Sequence, residues 1–401
     1  MRVLFTAFET SGDLLAARLL EAIQARDPNV EAFALGGPRL EAAGATLLEE
    51  TTGHAQMGLG AVSQAAELRR RVKLVRDWLR GHPIDALVPV DSPAANWHFC
   101  KAVRKSAAEH GGEVSGGATI VHLVCPQVWA WATWRVKWLK KLSDHVLCLL
   151  PFEPGFLAGH SIPATFVGHP LFASDTLQKK PTPAALVDLP GVSPGDGPKL
   201  ALLPGSRSGE VEKNWADMLA AFDQLRFRFP KLVAAVAASD KARADQIMRQ
   251  SPGGRLPRRV GMIIGDAAAT LDWADAAVVV SGTATLEAVS RDCPHVALFR
   301  ASPLMWNTVG RALVRTRTFT LPNLLGEHLN LPSTEDAGRV VPELVPHFGG
   351  HEPVVRAIEP LLKDSAKRDA QRADFAAIAR AFADTDFRST AANAFFQALC
   401  P

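Results

Sequence analysis

Residues 202 to 214 read LLPGSRSGEVEKN. They end an apolar run, KLALL (199–203), with a proline, a glycine, a hydroxyl and an arginine, and lead into an amphipathic stretch that is under way by Trp215. An apolar run without polar alternation suits a strand buried on both faces, as in a parallel sheet covered by helices. A glycine-bearing turn from such a strand into a helix gathers backbone N–H groups at the positive helix end, and Arg207 adds a guanidinium. The turn is therefore either a plain surface connection or a cradle for phosphate.

The same strand–turn–helix rhythm extends in both directions. Upstream, apolar runs fall at 3–8, 31–36, 85–91, 118–124, 145–150 and 164–169, with helical patterns at 12–26, 61–80, 97–110 and 129–142. Downstream they fall at 231–238, 260–266, 275–282 and 295–300, with helices expected at 215–229, 241–250 and 283–291. Between the two series lies a stretch rich in proline and glycine, including KKPTP (179–183) and VSPGDGP (192–198), with linker composition. After about residue 338 the chain is alanine-rich and helical, with no strand expected.

The 401 residues exceed one ordinary core. The expected class is α/β with two Rossmann-like, doubly wound domains. Residues 1–172 form the first, 173–198 the linker and 199–345 the second. Residues 346–401 form a helical tail that packs back across the lobes or onto a partner subunit. Two such domains would face each other across an inter-domain cleft at the carboxyl ends of their strands, where ligands bind in these folds.

Bulk composition excludes several classes. A net charge of +3 gives no strong affinity for polyanions, so no nucleic-acid partner is expected. Five dispersed cysteines without CxxC spacing argue for a reducing compartment and against a disulfide framework or zinc site. The opening MRVLFTAFE is shorter than a signal peptide and reads as a first strand. No apolar stretch nears the roughly 20 residues of a membrane span, so any membrane contact is expected to be peripheral. The absence of tyrosine removes every tyrosine-based mechanism. There is no GxGxxG, which disfavours a dinucleotide.

Candidate chemistry sits just after strands. Glu9-Thr10-Ser11-Gly12-Asp13 follows the first run and reads as a capped helix start or a ligand-facing turn. Asp91, after DALVPV, is placed either to take a proton from an attacking hydroxyl or to cap the helix near Asn96. Gly282, Thr283 and Ala284 open a helix narrowly enough for a diphosphate to approach, and Glu287 lies one turn in, within reach of a ribose. His169, beside the linker, either lines the cleft or fills the hinge. The segment CPQVWAWATWRVKWLKK (125–141) holds four of the nine tryptophans. Trp131, Trp134 and Trp138 share a helical face flanked by Lys137, Lys140 and Lys141, and Arg69, Arg70 and Arg71 offer a second basic stretch. Such a face suits an anionic membrane surface, or else it is a tryptophan-rich core face with a solvated edge.

Taken in order, FETSGD (8–13), GGPRL (36–40), MGLG (57–60), VDSP with Asn96, CPQVWAW (125–131), LLPFEP (149–154), FVGHPL (166–171), LLPGSRSGEVE (202–212), SGTATLE (281–287) and LPNLL (321–325) resemble the lipid A disaccharide synthases. The LPGSR-x-x-E-V-E, SGTA-x-LE and VGHP blocks are specific in combination. The resemblance implies a GT-B fold and an inverting transfer without metal or cofactor. The donor is then UDP-2,3-diacylglucosamine, the acceptor an amphiphilic monosaccharide phosphate (2,3-diacylglucosamine 1-phosphate), and the products a β(1→6) disaccharide and UDP. It also implies a cytoplasmic enzyme held peripherally on the inner face of the inner membrane, with a tail that joins subunits in some members and so allows a homodimer.

By the same resemblance Asp91 is the base, with Glu9 and Asp13 as substitutes. Ser206, Arg207 and the 282–284 turn hold the diphosphate, Glu287 the ribose, and Asn323, His169 and Ser11 complete the donor side. The chain departs from the family pattern at Ser92 and Ala94, where one acid is missing. It departs again at Cys125, Gln127 and Ala132, at Phe299-Arg300, at Pro346 and in an inserted loop, 326–336. Two rival functions stand beside this one: a GT-B enzyme on a soluble UDP-sugar, resembling UDP-N-acetylglucosamine epimerases, and, in view of the missing acid and the inserted loop, a non-catalytic nucleotide-sugar or lipid binder.

Overall fold

The computed structural model describes residues 1–52, 61–109, 117–130, 132–178, 180–183, 186, 197–303, 306–307, 318–332 and 339–400. MGLG, Trp131, half of the linker and part of the inserted loop lie outside the described residues. The chain divides into two compact units, Met1–Ala173 with Phe382–Pro401, and Ser174–Ala381.

The first unit is built on seven strands: β1 (Arg2–Thr6), β2 (Glu31–Gly36), β3 (Thr46–Glu50), β4 (Ala86–Pro89), β5 (Thr119–Leu123), β6 (His145–Cys148) and β7 (Ala164–Phe166). They lie parallel in the order β3-β2-β1-β4-β5-β6-β7. Successive side chains of β1 go to opposite cores. Val3 and Phe5 pack with Leu19 and Leu20 of α1 (Thr10–Arg26) and Phe395 of the last helix, whereas Leu4 packs with Val75 of α3 (Ala61–Leu79) and Phe99 of α4 (Pro93–Glu109). Both faces of the sheet are covered, so its strands are continuously apolar.

The second unit repeats the plan with β8 (Lys199–Leu203), β9 (Val233–Ala238), β10 (Val260–Ile264), β11 (Ala276–Val280), β12 (His295–Arg300) and β13 (Glu343–His347). Their order is β10-β9-β8-β11-β12-β13, again all parallel. Leu200 and Leu202 face Trp215, Met218 and Phe222 of α7 (Ser208–Arg228), while Ala201 and Leu203 face Leu271 and Ala288 on the opposite side. These two residues belong to α9 (Ala267–Trp273) and α10 (Thr283–Ser290).

The remaining helices are α2 (Pro38–Ala42), α5 (Val136–Leu142), α6 (Glu153–Ala158), α8 (Lys241–Gln250), α11 (Leu321–His328), α12 (Glu352–Lys363), α13 (Ser365–Ala383) and α14 (Phe387–Leu399).

Several expectations are corrected. A strand does follow residue 338: β13 lies at a sheet edge, where Pro346 is tolerated because no neighbour needs its missing N–H. The edge strand β3, with its two glutamates and partial exposure, carried no apolar-run signal. The helix expected over 129–142 is only a 3-10 turn at Thr133–Arg135 followed by α5, because Ala132 takes a left-handed φ of 47°. Thr176, Gln178 and Lys180 are fastened to the second unit. The buried Arg291 pairs with Asp272 and donates to the carbonyls of Thr176 and Gln178, and Lys180 Nζ reaches both oxygens of Asp266 at 3.0 Å. The tail is shared: α12 packs onto α7 of the second unit, and α14 onto α1 of the first.

Candidate active site

In each sheet the strand order reverses at one place, and a doubly wound sheet binds ligands outside the carboxyl ends of the strands there. In the second unit that place is between β8 and β11. PGSR follows β8, and SGTAT follows β11. Gly205 carries φ +116°, and a Cβ there would stand 2.5 Å from Glu210 Cβ, so the turn requires glycine. Glu210, in the first turn of α7, closes the loop. Its Oε2 accepts from the N–H groups of Ser206 and Arg207 at 3.1 and 3.2 Å, and its Oε1 accepts from the Arg207 guanidinium at 2.9 Å. Ser206 and Arg207 are exposed. A glutamate three residues into a helix, after Ser-Arg-Ser-Gly, is a capping-box signal visible in the sequence, yet sequence reading gave Glu210 no role.

Across the same switch point Gly282 takes φ +151° with ψ −156°, a glycine-only combination, ahead of exposed Thr283 and half-buried Ala284. Glu287 lies half-buried one turn further. Burial raises its carboxyl above the usual range, with Arg291 and Lys180 pulling down and Asp266 and Asp272 pushing up. Asn323 lies in the first turn of α11 (Leu321–His328). It is buried, with Nδ2 donating to Val341 O and Glu343 Oε2 at 3.0 Å and Oδ1 accepting from Val341 N at 2.9 Å. Glu343 in turn accepts from Thr320 N at 3.0 Å and Thr320 Oγ1 at 2.8 Å. These bonds tie the start of α11, and Thr320 before it, to the chain entering β13.

In the first unit the reversal lies between β1 and β4. Glu9, Thr10 and Ser11 follow β1, and Asp91 follows β4. Glu9 is the half-buried N-cap of α1, and Ser11 is exposed in its first turn. Asp91 and Ser92 both adopt left-handed φ, 44° and 40°. Such a conformation costs about 1–3 kcal/mol per non-glycine residue and persists only where its surroundings impose it. Here Asn96 imposes it. Buried on α4, it donates to the carbonyls of Val90 and Asp91 at 2.9 and 2.7 Å, while its Oδ1 accepts from Thr6 Oγ1 at 2.7 Å. Asp91 N also donates to Leu123 O at 3.0 Å. The carboxylate is thus presented on a rigid turn at the sheet's carboxyl edge.

Asp13 takes a different part. It is buried, and its two oxygens accept from Gly37 N at 2.8 Å, Arg39 N at 3.0 Å and Leu40 N at 3.3 Å. It anchors the turn into α2. His169 is also buried. Its Nδ1 accepts from Leu171 N at 3.1 Å, and burial lowers its pKa to about 4, so it is a neutral imidazole capping a 3-10 turn.

The basic tryptophan face is smaller than its spacing suggested. Trp134 is 59% exposed, and Lys137, Lys140 and Lys141 are exposed with it. Trp138 instead stacks on Trp97 at 6.4 Å and carries Lys101 over its ring at 3.9 Å. Arg71 is buried between Glu49 and Glu67, and Arg70 is paired with the same two acids. Only Arg69 of that triplet stays exposed without a counter-ion contact of this kind. Among the described residues no helix is long and apolar enough to cross a membrane, and no cluster of side chains could hold a metal ion.

Two parallel doubly wound sheets, one in each unit, are the two Rossmann-like halves of the GT-B fold. UDP-N-acetylglucosamine 2-epimerase from Neisseria meningitidis, bound to UDP-N-acetylglucosamine, superposes with a TM-score of 0.61 at 11% identity, covering 100% of this chain and 99% of that one. A spinosyn rhamnosyltransferase complexed with thymidine diphosphate superposes at 0.55, with 14% identity and 97% and 98% coverage. At these identities the likeness is one of fold. The sequence goes further. The lipid-A-disaccharide synthetase family model matches residues 3–337. A lipid-A-disaccharide synthase of Pseudomonas aeruginosa (strain LESB58) is 35% identical over 371 residues, 92% of this chain and 91% of its own. The chain belongs to the lipid-A-disaccharide synthase family and is a glycosyltransferase of the hexosyltransferase type.

Proposed function

We propose that the protein transfers 2,3-diacylglucosamine from UDP to the 6-hydroxyl of 2,3-diacylglucosamine 1-phosphate with inversion. The observation that carries this reading is the family match combined with the placement of Asp91, Arg207 and the 282–284 turn at the two switch points. Asp91 accepts the hydroxyl proton as the new C–O bond forms. The C1–O bond to the diphosphate breaks at the same time, and UDP departs with the electron pair. Arg207 with the Ser206 side chain, and the start of α10 at Gly282 and Thr283, receive the charge that collects on the diphosphate. Glu287 serves the ribose. Glu9 and Ser11, on the neighbouring strand end, are positioned to orient substrate beside Asp91. Ser92 and Ala94, where the family carries alanine and an acid, leave Asp91 and its Asn96 support in place.

An amphiphilic acceptor has to be drawn from a membrane. Exposed Trp134 with Lys137, Lys140 and Lys141 has the composition of an interfacial anchor on an anionic leaflet, which fits peripheral attachment at the cytoplasmic face of the inner membrane. Pairing of two copies through the tail remains part of the proposal.

Incubating purified protein with UDP-diacylglucosamine and the monosaccharide phosphate tests the reading. Mass analysis should show a disaccharide phosphate and one UDP per disaccharide. Asp91→Asn should lower kcat by about 10²–10⁴-fold while UDP affinity holds. Equal loss of both would make Asp91 structural, and epimerised UDP-sugar without disaccharide would replace the reading altogether.

A further inference from the structure

The turn after β8 already holds an anion, and it belongs to the chain itself. Glu210 lies in the first turn of α7, with its side chain 18% exposed. Its Oε2 accepts from the N–H groups of Ser206 and Arg207 at 3.1 and 3.2 Å, and its Oε1 from Arg207 Nη1 at 2.9 Å. Gly205 makes room for it, since a Cβ there would stand 2.6 Å from Oε2. Two neighbouring backbone N–H groups and a guanidinium are a donor set suited to phosphate at the start of a helix. Here a carboxylate fills it. The backbone that carries Glu210 is fixed: Val211 and Trp215 are fully buried, Asn214 Nδ2 donates to Glu210 O at 2.8 Å, and Gln246 Nε2 donates to Ser208 O at 2.9 Å.

We propose that Glu210 is a built-in competitor for the donor's diphosphate, and that its charge sets how readily UDP leaves. This rests on the reading of the PGSR turn as part of the diphosphate site. Glu210 acts on such a ligand in two opposed ways. By pairing with the guanidinium it holds Arg207 beside the carboxyl end of β8, which spares the ligand the ordering of a long side chain. By its charge it repels any anion that reaches the same guanidinium, and a diphosphate feels the repulsion on both phosphates. The repulsion is the larger effect. Ordering one side chain is a single rotamer loss, whatever the ligand carries, whereas the repulsion grows with the ligand's charge and acts near a protein surface, where the effective dielectric constant is well below that of water. The two N–H groups stay with the carboxylate, and the diphosphate is left with Arg207, the Ser206 side chain and the start of α10. The site then gives up UDP more readily than the same turn would without its own acid.

The test is calorimetric titration of the full chain, wild type and Glu210→Gln, with UDP and with uridine. Glutamine keeps the volume and one oxygen for the N–H groups, and removes the charge. UDP should bind E210Q about tenfold more tightly and inhibit its turnover at correspondingly lower concentration, while uridine, which carries no phosphate, binds both proteins alike. The gain should shrink as salt rises toward about 1 M, where charges are screened within about 3 Å. UDP affinity that is unchanged or weaker in E210Q overturns the proposal, because the carboxylate then only caps the helix or holds Arg207. Equal tightening of uridine overturns it too, because the turn has then changed shape and not merely charge. Should E210Q not fold, Glu210→Ala titrated in the same way decides. Arg207→Ala run beside them keeps the two readings apart. UDP affinity that does not fall there takes the turn out of the donor site and the proposal with it, whereas a fall there without a gain in E210Q ends the competitor alone.

Discussion

At the scale of single residues, the two candidate acids near the start of the chain show how much depends on what a carboxylate is already holding. Asp13 satisfies three backbone N–H groups, so Asp13→Ala should leave those donors unpaired and destabilise the first unit by about 2–4 kcal/mol, read by chemical denaturation. A loss of transfer activity with stability intact would instead return Asp13 to the chemistry. Arg207 is the opposite case. It is exposed, and its guanidinium pairs with the neighbouring Glu210 at 2.9 Å. Arg207→Ala should weaken UDP binding by roughly 10–100-fold, the worth of a charge-assisted hydrogen bond of about 1.5–3 kcal/mol, while the melting temperature changes little. Unchanged affinity by calorimetry would take Arg207 out of the donor site.

At the scale of elements, α5 with its preceding turn is the segment in which spacing misled. Residues 131, 134 and 138 share a face only if the helix is continuous, and Ala132 breaks it. The break sends Trp138 onto Trp97 and the core, and leaves Trp134 outward with the lysines. Membrane attachment should therefore depend on Trp134 and not on Trp138. Trp134→Ser should reduce co-sedimentation with anionic vesicles several-fold with no loss of stability, and Trp138→Ala should lower stability first. Equal vesicle binding by Trp134→Ser and wild type would end the anchor assignment.

At the scale of the whole molecule, buried titratable groups set a window of pH. His122 is pushed down to about 3, and His169 and His295 to about 4, all by burial. An unfolded histidine takes up a proton near pH 6.5, and these folded ones refuse it. Their stability is therefore fully present above 6.5 and is lost as pH falls below it, at about 1.4 kcal/mol per pH unit for each histidine. The two in the first unit, His122 and His169, together withdraw roughly 2–3 kcal/mol between pH 7 and pH 5.5. Glu153 acts in the reverse sense. Its folded pKa of about 8 lies above the usual value, so its contribution is present at acid pH and fades as pH rises from about 4.5 through 8. Between pH 7 and 5.5 the gain from Glu153 offsets most of the histidine loss, so the loss should show in full only in Glu153→Gln, and denaturation midpoints of that variant that stay flat over this range would show that the histidines are reached by solvent.

The sequence by itself determined the α/β class, the two repeats of parallel sheet and the family, because doubly covered strands must be continuously apolar and because motifs such as PGSR and SGTAT are local. Turn chemistry lives in a few adjacent residues, so Gly205, Gly282 and Asp91 were legible before any fold was known. Tertiary structure alone decided what each polar group holds. Asn323 is consumed by Val341 and Glu343, Arg71 by Glu49 and Glu67, and Glu153 by an indole 24 residues away. It also placed β13 at an edge, where its proline is harmless. The physical reason is one of range: strand burial and turn geometry are set by neighbours in the chain, whereas burial of a charge and the partner that offsets it are set by distant segments that meet only on folding.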